Sequence, residues 1–151
     1  MISIKTKIPP PLVALTFGFL VNYSKNIFPK IEIGWGGIVG AFMIIVGLII
    51  IISAIIQFKK YKTTITPLNP SNATKLIVHG IYKFSRNPMY LGLLLVLSGI
   101  SIIQNPIGGS LFVSSFILYL NHFQIIPEES AMLDLFKDDF LKYKENVRRW
   151  I

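Results

Sequence analysis

Residues 36–58 read GGIVGAFMIIVGLIIIISAIIQF, an apolar run without Asp, Glu, Lys or Arg. At about 1.5 Å of rise per residue, a helix of this length crosses a hydrocarbon core of about 30 Å. Three further apolar stretches lie at residues 12–23, 89–104 and 107–126. The sequence therefore predicts an all-α protein, a polytopic membrane helical bundle of about four transmembrane helices.

The composition of the whole chain also favours a bilayer over water. Of 151 residues, 52% are hydrophobic and 15% are charged, and the mean hydropathy is +0.61. Soluble domains carry about 25% charged residues, because they need more polar surface. The lack of cysteine excludes disulfides, thiolate nucleophiles and cysteine-ligated metal sites, and the two histidines, His79 and His122, leave little scope for another metal site.

The net charge of +8 is distributed unevenly between the apolar stretches. Thirteen of the 15 Lys and Arg residues lie before the first stretch, in the 59–87 connection or after the fourth stretch, and only Lys25 and Lys30 lie elsewhere. By the positive-inside rule, both termini and the 59–87 connection face the cytoplasm. This pattern indicates contact with anionic lipid rather than nucleic acid, in an integral membrane protein that in a bacterium would occupy the inner membrane.

The chain after Pro127 has a different periodicity. Apolar side chains recur there at steps of three and four residues, at Leu133, Phe136, Phe140, Tyr143, Val147 and Trp150. This spacing predicts a C-terminal amphipathic helix that lies at the cytoplasmic surface or folds back over the 59–87 connection. We expect one membrane domain over residues 1–151, with two N-terminal spans in residues 1–58 and a functional core in residues 59–151.

The third and fourth stretches are joined by a very short turn at Asn105 and Pro106, which predicts an antiparallel helical hairpin. Such a hairpin brings the polar segment 76–90 beside Glu128 and Glu129. The resulting pocket could hold a polar cofactor and open sideways to lipid. An alternative interpretation is an ordinary helix start, because carboxylates after a proline favour the positive end of a helix dipole.

Residues 80–92 read GIYKFSRNPMYLG and are followed one hairpin later by Glu128 and Glu129, then by Phe136, Tyr143 and the VRRW segment at 147–150. This arrangement closely resembles the isoprenylcysteine carboxyl methyltransferase and phospholipid methyltransferase families. The resemblance begins near residue 63, with TTITP at 63–67. It implies an integral membrane enzyme that uses S-adenosylmethionine (SAM), without a Rossmann domain, and that methylates a carboxylate or amine of a lipidic acceptor.

The resemblance also implies roles for individual residues. Cofactor contacts would fall on Thr74, Lys75, Leu76, Ile77, Tyr82, Asn87, Pro88, Met89, Tyr90 and Glu128. Gln124 corresponds to an acceptor-binding arginine of the eukaryotic enzymes, and His122 stands where short bacterial members often have arginine. From their chemistry, Arg86 is a candidate for binding a carboxylate and Glu129 is a candidate proton acceptor for an amine, so we expect these two to be the catalytic residues.

Besides His122, three positions depart from the family pattern. Asn87 replaces the histidine of the eukaryotic motif, and Lys137 stands where a glycine is common after the phenylalanine. Gln124 carries no charge, so it cannot bind a carboxylate as a bidentate arginine does. We therefore do not infer a prenylcysteine substrate for this chain from the resemblance.

Two other function classes are compatible with the same architecture. Membrane sterol reductases resemble these methyltransferases over the hairpin, which allows an NADPH-dependent membrane reductase. The second function class is a non-enzymatic small membrane protein or transporter. The apolar stretches lack the ionisable residues that charge relays use, which speaks against transport. We expect membrane lipids and a lipidic small molecule as partners, with no nucleic acid, no metal and no obligate protein partner.

Overall fold

A computed structural model of the chain describes residues 8–29, 31, 33–61 and 74–151. Within these ranges it is all-helical, with no strand. Part of the 59–87 connection, residues 62–73 with the TTITP segment, lies outside the described residues, as do Lys5, Lys7 and Lys30. The elements are α1 (Pro10–Ser24), α2 (Gly36–Tyr61), a 3₁₀ turn (Gly80–Lys83), α3 (Pro88–Gln104), α4 (Pro106–Leu120), a π turn (Asn121–Ile125) and α5 (Ile126–Asn146).

Two of the helices are long and apolar enough to cross a membrane. They are α2 and the continuous helix from Pro106 to Asn146. Only 17% of the most apolar window of α2 is buried inside the protein, whereas the core helix of a soluble protein would be mostly buried. These features indicate a helical membrane protein. The number of four spans remains a prediction, because α1 and α3 have 15 and 17 residues.

Glycines set the distance between α2 and α3. A Cβ at Gly47 would lie 2.6 Å from the carbonyl oxygen of Gly92, and a Cβ at Gly99 would lie 2.5 Å from that of Gly40. Small residues at a helix crossing let two backbones approach closely, which gains van der Waals packing without a hydrophobic driving force. The glycines in the apolar stretches are therefore part of the packing of α2 on α3.

The predicted hairpin between α3 and α4 is present. Asn105, which is fully buried, ends α3 and caps α4, since its Oδ1 accepts a hydrogen bond from the Gly108 amide at 2.9 Å. Its Nδ2 donates to the Phe28 carbonyl at 3.2 Å, which ties the turn to the segment after α1. The main core lies between α1, α3 and α4, around Leu97 and Phe116.

The helix continues from α4 into α5 without a new start. The residue before α5, Ile125, has helical dihedral angles and gives no side-chain cap. Pro127 has no N–H for an intrahelical bond, and the π turn ends at Ile125, two residues before it. Glu128 and Glu129 therefore do not cap a free helix terminus, so the structure does not support the ordinary helix start as their role.

The tail differs in two respects from the predicted single amphipathic helix. Lys137 has φ 42° and ψ −116°, which breaks the helical path, and the helix ends at Asn146 because Val147 is extended. Val147 and Trp150 therefore do not continue the predicted stripe. The tail does fold back over the segment before α3, since the Tyr143 hydroxyl donates to the Tyr82 carbonyl at 2.6 Å. Its location at the cytoplasmic surface remains a prediction.

Candidate active site

A cavity of about 410 Å³ lies where the start of α1, the end of α2, the start of α3 and α5 meet. This volume is in the range of small-molecule and cofactor pockets. Its wall is mostly apolar, with a polar group of residues on one side. The lining comprises Pro9–Pro11, Ile51, Ile55, Phe58, Lys75–Ile77, Tyr82, Arg86–Tyr90, Leu93, Glu128, Glu129, Met132, Phe140 and Tyr143.

Tyr90 and Glu128 form the first polar contact of this cavity. The Tyr90 hydroxyl, in the first turn of α3, donates a hydrogen bond to Glu128 Oε1. Glu128 lies beyond the apolar part of the long helix, and burial raises its pKa to about 7. The hydrogen bond from Tyr90 opposes this shift, while the nearby charge of Glu129 adds to it. Glu128 therefore changes its charge near neutral pH.

Glu129 has a different environment from its neighbour. Arg86 Nη2 lies 2.7 Å from Glu129 Oε1, and Arg149 Nη2 lies 2.8 Å from Glu129 Oε2. Burial alone would raise the pKa of Glu129, but the hydrogen bonds from Arg149 and Arg86 outweigh it and hold that pKa below its usual value. Both carboxylate oxygens have guanidinium partners, so Glu129 is ionised and a weak proton acceptor.

Residues 147–150, which follow α5 and are here termed the C-terminal strap, contact the polar side of the site. Arg86 Nη1 donates to the Val147 carbonyl at 2.8 Å, and the Arg86 amide donates to the Arg148 carbonyl at 3.0 Å. Asn87 Nδ2 donates to the Arg149 carbonyl at 3.0 Å. The strap therefore orients Arg86 and Asn87 through its backbone carbonyls, while the Arg149 side chain holds Glu129.

Tyr82 is presented to the cavity by a short 3₁₀ turn. Gly80 enters this turn with φ +63°, a left-handed conformation that glycine adopts readily. The Tyr82 ring packs edge-on against Phe58, with centroids 5.8 Å apart. Burial raises the pKa of Tyr82, with smaller contributions from Tyr143 and Glu128, so its phenol stays neutral.

Most of the predicted cofactor residues meet in this cavity. Lys75, Leu76, Ile77, Tyr82, Asn87, Pro88, Met89, Tyr90 and Glu128 line it, as do the predicted catalytic residues Arg86 and Glu129. Thr74 is exposed and is not part of the lining. The prediction that the polar segment 76–90 lies beside Glu128 and Glu129 is confirmed by the contacts of Arg86 and Tyr90.

The two predicted acceptor-binding residues lie outside the lining. Gln124 is fully buried and its Nε2 donates to the Ile8 carbonyl at 2.7 Å. His122 is exposed, with its ring edge-on to Phe123. Contact of either residue with an acceptor remains a prediction. Among the described residues, no group of three or more potential metal ligands occurs.

Several lining residues had no assigned role in the sequence. Phe140 and Tyr143 belong to the periodic tail, where a heptad-like stripe is more often packing than a binding surface. Their spacing put them on one helix face, but only the return of the tail over Tyr82 brings them to the cavity. Pro9–Pro11, Ile55 and Leu93 carry no local signal, since apolar side chains in a span look alike whether they face lipid or a cavity.

Comparison with known proteins gives a consistent result. The chain matches the phospholipid methyltransferase family over residues 35–139. It is 32% identical over 133 residues to protein-S-isoprenylcysteine O-methyltransferase A of Arabidopsis thaliana, covering 85% of this chain and 66% of that protein. A probable protein-S-isoprenylcysteine O-methyltransferase of Oryza sativa subsp. indica is 26% identical over 140 residues, or 90% and 72% of the two chains.

An uncharacterized protein of Haemophilus influenzae is 41% identical over 63 residues, which is 42% of this chain and all of that one. No solved structure matches the chain. The chain spans about two thirds of the length of its plant relatives. The match to the family extends from the start of α2 into α5. Because this match covers the larger part of the sequence, the chain belongs to the phospholipid methyltransferase family, as the resemblance of residues 80–92 implied.

Proposed function

We propose that this protein is a SAM-dependent methyltransferase that acts on a lipidic or otherwise membrane-partitioned acceptor. The observation that carries the proposal is one cavity in which the Tyr90–Glu128 pair and Arg86 lie opposite an apolar wall. Such a site suits a charged cofactor on one side and an apolar acceptor on the other. The names of the plant relatives support a methyltransferase, and the predicted cytoplasmic termini would open the polar side to the cytoplasm.

The polar residues fit the charges of SAM, which has a sulfonium, an ammonium and a carboxylate. Glu128 can pair with the ammonium, and the buried rings of Tyr82 and Tyr90 can face the cationic sulfur. Arg86 Nε is buried without a hydrogen-bond partner, although the other guanidinium nitrogens are engaged. That free donor is suited to a carboxylate of the cofactor or of the acceptor.

The chemistry supplied with bound SAM is a displacement, in which an acceptor electron pair forms a bond to the methyl carbon while the carbon–sulfur bond breaks and its electrons stay on sulfur. The protein contributes orientation, because aligned reactants react faster without a covalent intermediate on the enzyme. Tyr90 holds the Glu128 carboxylate, and the C-terminal strap holds Arg86. The apolar wall keeps water away from the reacting atoms.

The protonation chemistry of the cavity suits a carboxylate acceptor better than an amine. An amine must lose a proton during methylation, whereas a carboxylate needs no base. Glu129 is the residue assigned to this task from sequence, but its two arginine partners lower its pKa. Glu128 is engaged by Tyr90 and, in this proposal, by the cofactor.

The experiment that tests the proposal is SAM binding by the purified protein in detergent, measured by calorimetry. Glu128→Ala should weaken binding by about 10- to 100-fold, because hydrogen bonds to charged groups contribute about 1.5–3 kcal/mol. Glu145→Ala removes an exposed glutamate of α5 that does not line the cavity, so it serves as the matched control and should leave the affinity unchanged.

Two results would contradict this function. The first is a folded sample that shows no heat of SAM binding at any accessible concentration. Stabilisation by NADPH but not by SAM in a thermal-shift assay would instead identify the reductase class.

A further inference from the structure

The start of α1 forms one side of the apolar end of the cavity. Pro9–Pro11 line the cavity there, and Ile51 and Ile55 of α2 line it as well. α1 packs against α3 and α4 around Leu97, whereas α2 packs against the glycine-bearing face of α3. The beginning of α1 and the end of α2 therefore approach the cavity from separate helix pairs.

The start of α1 and the end of α2 both have apolar outer surfaces beside the cavity. Leu12, next to the prolines, is 54% exposed, and on α2 the neighbours Ile52 and Ile56 are 56% and 55% exposed. In a membrane protein such surfaces face acyl chains. An opening between α1 and α2 would therefore admit an apolar chain from the bilayer rather than a solute from water.

The proline segment cannot anchor itself through backbone donors, because proline has no N–H. Downstream, the Pro9 carbonyl accepts from the amides of Leu12 and Val13, which starts α1. Upstream, the Ile8 carbonyl accepts a hydrogen bond of 2.7 Å from Gln124 Nε2. This bond joins the proline segment to the π turn that follows α4.

Gln124 is well suited to act as a rigid anchor. Its side chain is fully buried, so the amide has little freedom to move away from Ile8. It belongs to the π turn Asn121–Ile125, and single π turns inside α-helices often occur at functional sites. Gln124 does not line the cavity itself, so any effect on a ligand passes through the proline segment.

We propose that Gln124 is a positioning residue that holds Pro9–Pro11 in place through the Ile8 carbonyl and thereby sets the width of a lipid-side opening between α1 and α2. The occupant of this opening is the apolar chain of the acceptor, a step that rests on the proposed methyltransferase function. The contact of Gln124 with Ile8, and its effect on access to the cavity, do not depend on that function.

The chain contains no cysteine, which allows a direct test with a single-cysteine reporter. Ile55→Cys places a thiol on the cavity wall of the protein in lipid vesicles. Its rate of modification is measured with a membrane-partitioned maleimide and with a charged, water-soluble one. Adding Gln124→Met removes the donor at nearly the same length. We expect modification by the membrane-partitioned reagent to become about three- to tenfold faster, in line with the loss of one hydrogen bond, with little change for the charged reagent.

The matched control is Gln104→Met in the same reporter. Gln104 is also a glutamine with a buried oxygen, but it ends α3 at the turn, away from the cavity. This control should leave both rates unchanged. Gln124→Asn, whose amide is too short to reach Ile8, should reproduce the Gln124→Met result and serves as the second variant if Gln124→Met does not fold.

Unchanged rates in a folded Gln124 variant would overturn the proposal. So would an equal gain with both reagents, because that indicates general loosening rather than a wider lipid-side opening. Neither result depends on SAM binding or methyl transfer, so failure here is distinguishable from failure of the proposed function.

Discussion

Replacing Lys137 by glycine should stabilise the protein. Lys137 has φ 42° and ψ −116°, a backbone conformation that residues with a β-carbon rarely adopt, in the middle of α5. The family resemblance described above implies that glycine is common at this position. The side chain is exposed, so its removal costs little packing.

The size of the gain follows from two opposing contributions. Strained conformations of this kind cost about 1–3 kcal/mol, whereas glycine loses about 0.5–1 kcal/mol through its greater freedom in the unfolded chain. The net stabilisation of Lys137→Gly is about 1 kcal/mol. For a chain of this length that corresponds to a rise in Tm of about 2–4 °C.

The assay is thermal unfolding of the detergent-purified protein, with two controls. Lys137→Ala keeps the β-carbon and should not raise the Tm. Lys142→Gly replaces an exposed lysine in the regular second half of α5 and should lower the Tm by about 2–4 °C, because glycine costs about 1 kcal/mol inside a helix. If Lys137→Gly and Lys142→Gly lower the Tm equally, the backbone at Lys137 is not strained and residue 137 behaves as an ordinary helical position.

Two further predictions concern charge and packing. The pKa of Glu128 is raised from 4.5 to about 7, so the folded protein binds more protons than the unfolded chain between these values. The contribution of Glu128 to stability is therefore present below about pH 4.5 and is lost as the pH rises through 7. The Tm of Glu128→Gln should fall less from pH 5 to 8 than that of the wild type. Parallel Tm curves for the two proteins would contradict the raised pKa of Glu128. Gly47→Ala should lower the Tm by several degrees, because its Cβ would lie 2.6 Å from the Gly92 carbonyl oxygen. Gly37→Ala is the control and should leave the Tm unchanged, because its Cβ would have no neighbour within 4 Å. A larger loss of Tm in Gly37→Ala than in Gly47→Ala would disprove the close approach of α2 and α3.

The helices and the hairpin could be predicted because their causes are local. The apolar run at 36–58 became α2, Gly36–Tyr61, and the short turn at Asn105 allowed only an antiparallel return. That return placed Arg86 and Tyr90 against the glutamate pair, as predicted. The tail was predicted less well, since helical periodicity does not reveal a strained residue such as Lys137.

The amino-acid sequence by itself determined that the chain is helical and apolar, that its third and fourth apolar stretches pair, and that the polar segment 76–90 meets two glutamates. These properties follow from periodicity, hydropathy and loop length, which act over neighbouring residues. Tertiary structure alone decided that Glu129 is paired with Arg86 and Arg149 while Glu128 is left to Tyr90. It also decided that Gln124 contacts Ile8 and not the cavity. Burial and pairing depend on which distant segments share a low-dielectric interior, and adjacent residues of identical type can therefore acquire different charges and roles.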